Sequence, residues 1–324
     1  MNNRRHFLVV LALAAMAGLA PATAQDYPNK PLRIIVPFSP GASNDTLARI
    51  TADALTPRLG QPVVVENKPG AGSAIGVDFV AKSPADGYTF LWAAADGISV
   101  LPAVKANLPY TANDFTYLAQ MFDTSFMVVI NTKIPVNNMT EFVAYLKANP
   151  GKVRFGTSGA GSLAHLALAL IEKRLGVKMV HVPYKGMAGV VTDILGGHIE
   201  AAVITPPTVS VHKASDKIKI LGTTGSKRSP LFPDLPTFRE AGLADVVVEV
   251  WYGLVGPANL PANVAARMQK EIAEILKDPE ALKKYKAVFF EPTYLPSEPF
   301  KKYVLEDLAK WKEIAGSEKI VMEE

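Results

Sequence analysis

The chain of 324 residues contains no cysteine, which excludes a disulfide-stapled scaffold and any zinc or iron–sulfur site held by thiolates. Histidine is scarce as well. The four beyond the N-terminal segment, His165, His181, His198 and His212, show neither H-x-x-x-H nor H-E-x-x-H spacing, so neither a metal site nor a cofactor is expected. Neither sign of charge is in excess, with 34 Lys and Arg against 30 Asp and Glu. No basic run exceeds two residues, which leaves no electrostatic footprint for nucleic acid. Long hydrophobic runs are missing too: Phe7–Ala20, at 14 residues, falls short of the roughly 20 that a membrane-spanning helix needs.

What is present begins with an export signal. Arg4 and Arg5 precede that apolar run, and Pro21-Ala22-Thr23-Ala24 places small residues before a cut after Ala24. Arg4-Arg5-His6-Phe7-Leu8 resembles a twin-arginine signal, so both Sec and Tat export stay open. The remainder is expected to be soluble and periplasmic. Its 49% apolar composition and modest net charge exclude disorder, and its length suits two domains.

Apolar β-branched runs alternate with helical periodicity. Strands are expected at Leu32–Val36, Val63–Glu66, Thr89–Ala94, Phe126–Asn131, Val153–Gly156, Met179–Val182, Ala201–Thr205, Ile218–Gly222 and Val246–Val250. Helices are expected over Asp45–Leu59, capped by Ser43 or Asn44, and over Thr140–Asn149, Ser162–Leu175, Ala262–Lys277 and Ser297–Ala315, the last stopped by Gly316. The pattern predicts an α/β fold of two domains, each a mainly parallel sheet flanked by helices. The chain would cross between them near Phe122–Ser125 and Leu243–Val246, giving 25–123 plus 246–324 as domain 1 and 124–245 as domain 2.

Three strand-to-helix loops carry the candidate chemistry. In Phe38-Ser39-Pro40-Gly41-Ala42-Ser43-Asn44-Asp45, prolines and Gly41 turn the chain sharply into a helix whose first amides lack partners. That suits a carboxylate held by backbone and by Ser39 or Ser43; taken alone, the loop reads more simply as an ordinary turn capped by Ser43 or Asp45. The second loop, Gly70 to Gly76, has G-x-G-x-x-x-G spacing, wrong for a dinucleotide fingerprint, and reads as a pocket wall. The third, Gly156 to His165, lacks the lysine of a phosphate loop and the spacing of a nucleophile elbow, leaving hydroxyls and free amides at a helix start. His165 either braces this loop or pairs with Ser158 or Ser162, the latter three residues away on the helix, in an exported hydrolase or transferase. Tyr184 and Lys185 end one strand, and Thr205 ends another at the carboxyl edge where open α/β sheets bind ligands.

The ordered motifs P-F-S-P-G-x-x-x-D, E-N-K-P-G-A-G, G-T-S-G-x-G-S-x-x-H-L, H-V-P-Y-K-G, D-I-L-G-G-H-I-E and L-P-T-F-R-E-A-G-L resemble the Bug-type solute-binding proteins of tripartite tricarboxylate transporters, from Tyr27 to the C-terminus. The resemblance implies a monomeric periplasmic clamshell that grips a small organic acid and passes it to two integral-membrane subunits, with no catalysis; a sensor role is the alternative. It implies ligand contacts from Phe38, Ser39, Gly41, Ala42 and Asp45 on one jaw, and from Ser158, Ser162, His165, Tyr184 and Lys185 on the other. Three positions depart from the family pattern: Ala42-Ser43 after Gly41, Met187 after Gly186, and Asp96 where small hydroxyl residues are usual. Asp96 either lines the cleft, repelling a second carboxylate and selecting an amine or hydroxyl, or sits in a surface turn.

Overall fold

The computed structural model describes residues 27–243 and 246–318; the expected leader ending at Ala24 lies outside them. The chain first lays down β1 (Leu32–Val36), α1 (Ser43–Leu59), β2 (Val63–Asn67), α2 (Ala74–Ala81) and β3 (Thr89–Ala94). A π-turn at Asp96–Val100 leads to α3 (Leu101–Val104) and then β4 (Phe115–Ser125). After one residue a second series begins: β5 (Met127–Asn131), α4 (Met139–Ala148), β6 (Arg154–Thr157), α5 (Leu163–Leu175), β7 (Val180–Pro183), α6 (Met187–Gly196), β8 (Ala201–Ile204), α7 (Pro206–Ser210) and β9 (Ile218–Thr223). The chain returns as β10 (Glu249–Pro257), α8 (Ala262–Ile275), α9 (Pro279–Ala287), β11 (Pro292–Pro296) and α10 (Ser297–Glu318).

Two sheets result. The first runs β11-β4-β10-β3-β1-β2 and the second β7-β6-β8-β5-β9. Both are mixed, where the apolar runs had predicted mainly parallel sheets. β1 is parallel to β2 and β3, but β10 is antiparallel to β3 and β4; in the second sheet β6 is parallel to β7 and β8, while β5 is antiparallel to β8 and β9. The reason is that a strand covered on both faces reads as an apolar run whatever its direction. β5 shows it: Val128 and Ile130 face one core, Met127 and Val129 the other, and Ala201/Val203 against Ala202/Ile204 on β8 do the same.

α10 closes the first lobe. Phe300, Val304, Trp311 and Ala315 are buried along one stripe, and Trp251 Nε1 on β10 donates to Asp307 Oδ2 at 2.9 Å. The helix continues through Gly316 instead of stopping there, because nothing crowds that position and its φ is not left-handed. The two crossings meet at Thr224, which is fully buried. Its Oγ1 donates to Val248 O at 2.6 Å and accepts from Phe126 N at 3.0 Å, while its amide donates to Phe126 O at 2.9 Å.

Candidate functional site

The first loop leaves the carboxyl end of β1 and is built around a buried carboxylate. Asp45 Oδ2 accepts from Gly41 N at 3.0 Å and Arg49 Nε at 3.1 Å, and Oδ1 accepts from Asn67 Nδ2 at 2.9 Å. Asn67 Nδ2 also donates to Phe38 O at 3.0 Å, so both ends of the loop hang from one network. Burial pushes the Asp45 carboxyl up, but Arg49, the Gly41 amide and Asn67 outweigh it and hold it below the usual carboxylate range. Its oxygens thus face the loop's own backbone. Ala42, not Ser43 or Asn44, is the N-cap of α1. Ser39 and Gly41, with φ +87°, stand exposed at the crest, and Phe38 is half-buried against the core.

Ser43 does not cap the helix but reaches across to the second lobe. Its Oγ lies 2.9 Å from Thr205 Oγ1 and 3.4 Å from Thr208 Oγ1, and the two threonine hydroxyls are 3.1 Å apart. Ser43 and Thr205 are only 6% and 7% exposed, so these hydroxyls form a small polar cluster sealed between the lobes. A second bond also crosses: Leu163 N, the first amide of α5, donates to Asp96 Oδ1 at 2.9 Å. Asp96 is half-buried just beyond β3; burial pushes its carboxyl up, against the pull of the Leu163 amide.

The third loop is shaped from beneath by imidazoles. Gly159 and Gly161 take φ +139° and +71°. Ser162 caps α5, its Oγ donating to Gly159 O at 2.8 Å and accepting from His165 N at 3.3 Å. His165 Nδ1 accepts from Gly161 N at 3.1 Å, and its ring stacks on His181 with centroids 4.0 Å apart and planes 9° from parallel. His181 Nε2 sits 2.7 Å from Thr157 Oγ1. Burial lowers the pKa of His165, with Glu172 opposing; burial and the neighbouring ring bring His181 down to about 4. The pair is therefore neutral at pH 7 and supports the loop. Among the described hydrogen bonds Ser162 Oγ bonds the His165 backbone and not its ring, so these two residues form no serine–imidazole dyad.

Ser158 is half-buried in this loop. Tyr184 follows β7, the edge strand; its hydroxyl donates to Asp193 Oδ2 at 2.6 Å, while Lys185 is exposed. Arg49, Asn67, His181 and Thr208 belong to the framework and escaped the sequence reading. Asn67 and His181 do stand inside the quoted motifs; Arg49 and Thr208 carry no sequence signal. The Gly70–Gly76 loop supports the first one: a Cβ on Gly76 would lie 2.8 Å from Pro37 Cβ, so glycine there lets α2 approach the base of the Phe38–Asp45 loop. Two surface hollows, of about 430 and 660 Å³, lie on α10 and beside α2, away from the inter-lobe contacts.

A family profile described as tripartite tricarboxylate transporter family receptor matches residues 47–319. The chain belongs to this family. It is 33% identical over 318 residues to protein BugT of Bordetella pertussis, with 96% of each chain covered. The solved periplasmic binding protein BugD superposes with a TM-score of 0.84 at 31% identity, covering 92% of this chain and 100% of that one. An R. palustris protein solved with adipate gives a TM-score of 0.86 at 28% identity, covering 91% and 99%. The receptor family and its fold are those of solute-binding proteins, not enzymes, and the hydrolase alternative is set aside.

Proposed function

We propose that this receptor captures a small organic carboxylate between its two lobes, in the periplasm after loss of the 24-residue leader, and as a monomer hands it to two integral-membrane subunits of a tripartite transporter. The observation that carries the reading is the pair of contacts joining strand ends of opposite sheets, Ser43 to Thr205 and Leu163 to Asp96. They mark the seam where the braced loops converge. The adipate held by the R. palustris relative supports a carboxylate ligand.

The lobes are 25–123 with 246–324, and 124–245, hinged where Thr224 clips the two crossings. On opening, Ser43, Thr205 and Thr208 exchange their mutual bonds for a ligand carboxylate, alongside Ser39, Ala42 and the first amides of α1, which have no carbonyl partner within the helix. Ser158, Ser162, Tyr184 and Lys185 form the opposing wall. Several charge-assisted bonds of about 1.5–3 kcal/mol each, less ordering costs, give micromolar affinity at about −8 kcal/mol. Asp96 repels a second carboxylate and favours a ligand whose far end donates a hydrogen bond, such as an amino, hydroxy or amido acid.

A thermal-shift screen of organic acids on the mature chain tests this. A carboxylate at a hundredfold excess over its Kd stabilises by about 2.7 kcal/mol. Stabilisation by neutral sugars or cations alone, with every carboxylate inert, contradicts it.

A further inference from the structure

α9 ends in a left-handed cap that is filled by the wrong kind of residue. Phe289 N donates to Lys286 O at 3.0 Å and Phe290 N to Tyr285 O at 3.0 Å, the paired bonds of a Schellman turn, and Phe289 holds the left-handed position with φ +60°. Glycine is the usual occupant, because a Cβ there crowds the backbone and a bulky residue is strained. Val288 and Phe290 beside it pack into the first core, whereas Phe289 belongs to neither core. Its ring reaches the second lobe instead, stacked on Phe232 with centroids 5.6 Å apart and planes at 28°, and Lys213 Nζ lies 5.7 Å from its centroid.

Both ends of this contact are tied to the cleft. Tyr285 on α9 bonds Thr51 on α1 at 2.9 Å between buried hydroxyls, and α1 begins at Ser43. Lys213 follows α7, which begins beside Thr205. A mechanical loop therefore runs from Ser43 through α1, α9 and Phe289 to Lys213, α7 and Thr205, and closes at the Ser43–Thr205 bond.

We propose that Phe289 is a positioning residue for ligand capture: its ring clasps Phe232 and Lys213 across the lobes and biases the clamshell toward its closed form. In this left-handed conformation the ring lies against Phe232 of the other lobe. An aromatic stack and a cation–π contact of this kind favour the closed form about three- to tenfold.

The test needs no ligand, so it stands apart from the identity of the solute. Small-angle X-ray scattering and thermal unfolding are measured on the ligand-free mature chain and on Phe289→Gly and Phe232→Ala. Both variants are expected to show a larger radius of gyration than the wild type. Phe289→Gly, which also relieves the left-handed strain, is expected to melt higher than Phe232→Ala, which removes the stack and keeps the strain. An unchanged radius of gyration in both variants, or a lower melting temperature for Phe289→Gly than for Phe232→Ala, overturns the clasp and leaves the carboxylate reading untouched.

Discussion

Two carboxylates near the cleft have opposite jobs. Asp45 is ionised and consumed by its own loop, so removing it frees the Gly41 amide and unties Asn67. Asp45→Ala is expected to cost about 1–3 kcal/mol in thermal unfolding. Asp96 pays a burial cost that its bonds to the Leu163 amide and its own amide offset only in part. Because its folded pKa is raised, the charged form is the less favoured one, and its contribution worsens as pH rises through that value. Asp96→Asn is therefore expected to raise the melting temperature at pH 7, the gain over wild type shrinking as pH falls toward the ordinary carboxylate range. A variant that melts lower at pH 7 would show the ionic bond to outweigh burial. The residue types at these positions were readable from the sequence. Their assignments were not, since a carboxylate at a loop's end looks the same whether it faces a ligand or the loop's own amides.

Among elements, strand and helix positions followed from apolar patterning wherever a segment was buried on both faces or amphipathic. β4 escaped because Gln120 and Asp123 interrupt its apolar run and no turn residue separates it from β5. β11 escaped because Pro292 and Pro296 bound it; as the edge strand of its sheet it tolerates them. The third loop rests on an imidazole pair invisible in sequence, where His165 and His181 stand sixteen positions apart. Protonating His165 at Nδ1 removes the acceptor for Gly161 N. With folded pKa values below the unfolded 6.5, and near 4 for His181, stability is full above pH 6.5 and is lost as pH falls toward 4. Melting temperatures across that window should drop for the wild type and drop less for His181→Phe, which keeps a stacking ring but cannot charge.

At the scale of the whole molecule, a buried clip at Thr224 and a polar seam at Ser43 and Thr205 both join the two lobes. Thr224→Val removes a donor to Val248 and an acceptor for Phe126 in a dry setting. About 1–3 kcal/mol of stability should be lost, seen as a lower denaturant midpoint with an unchanged slope. The central claim is that the hydroxyls sealing the seam are the ones a bound acid takes over. Isothermal titration of the most stabilising organic acid against the wild type and Ser43→Ala tests it most directly. Loss of one charge-assisted bond should weaken binding about tenfold or more. Equal affinity in the two proteins, or no organic acid that binds at all, would contradict it.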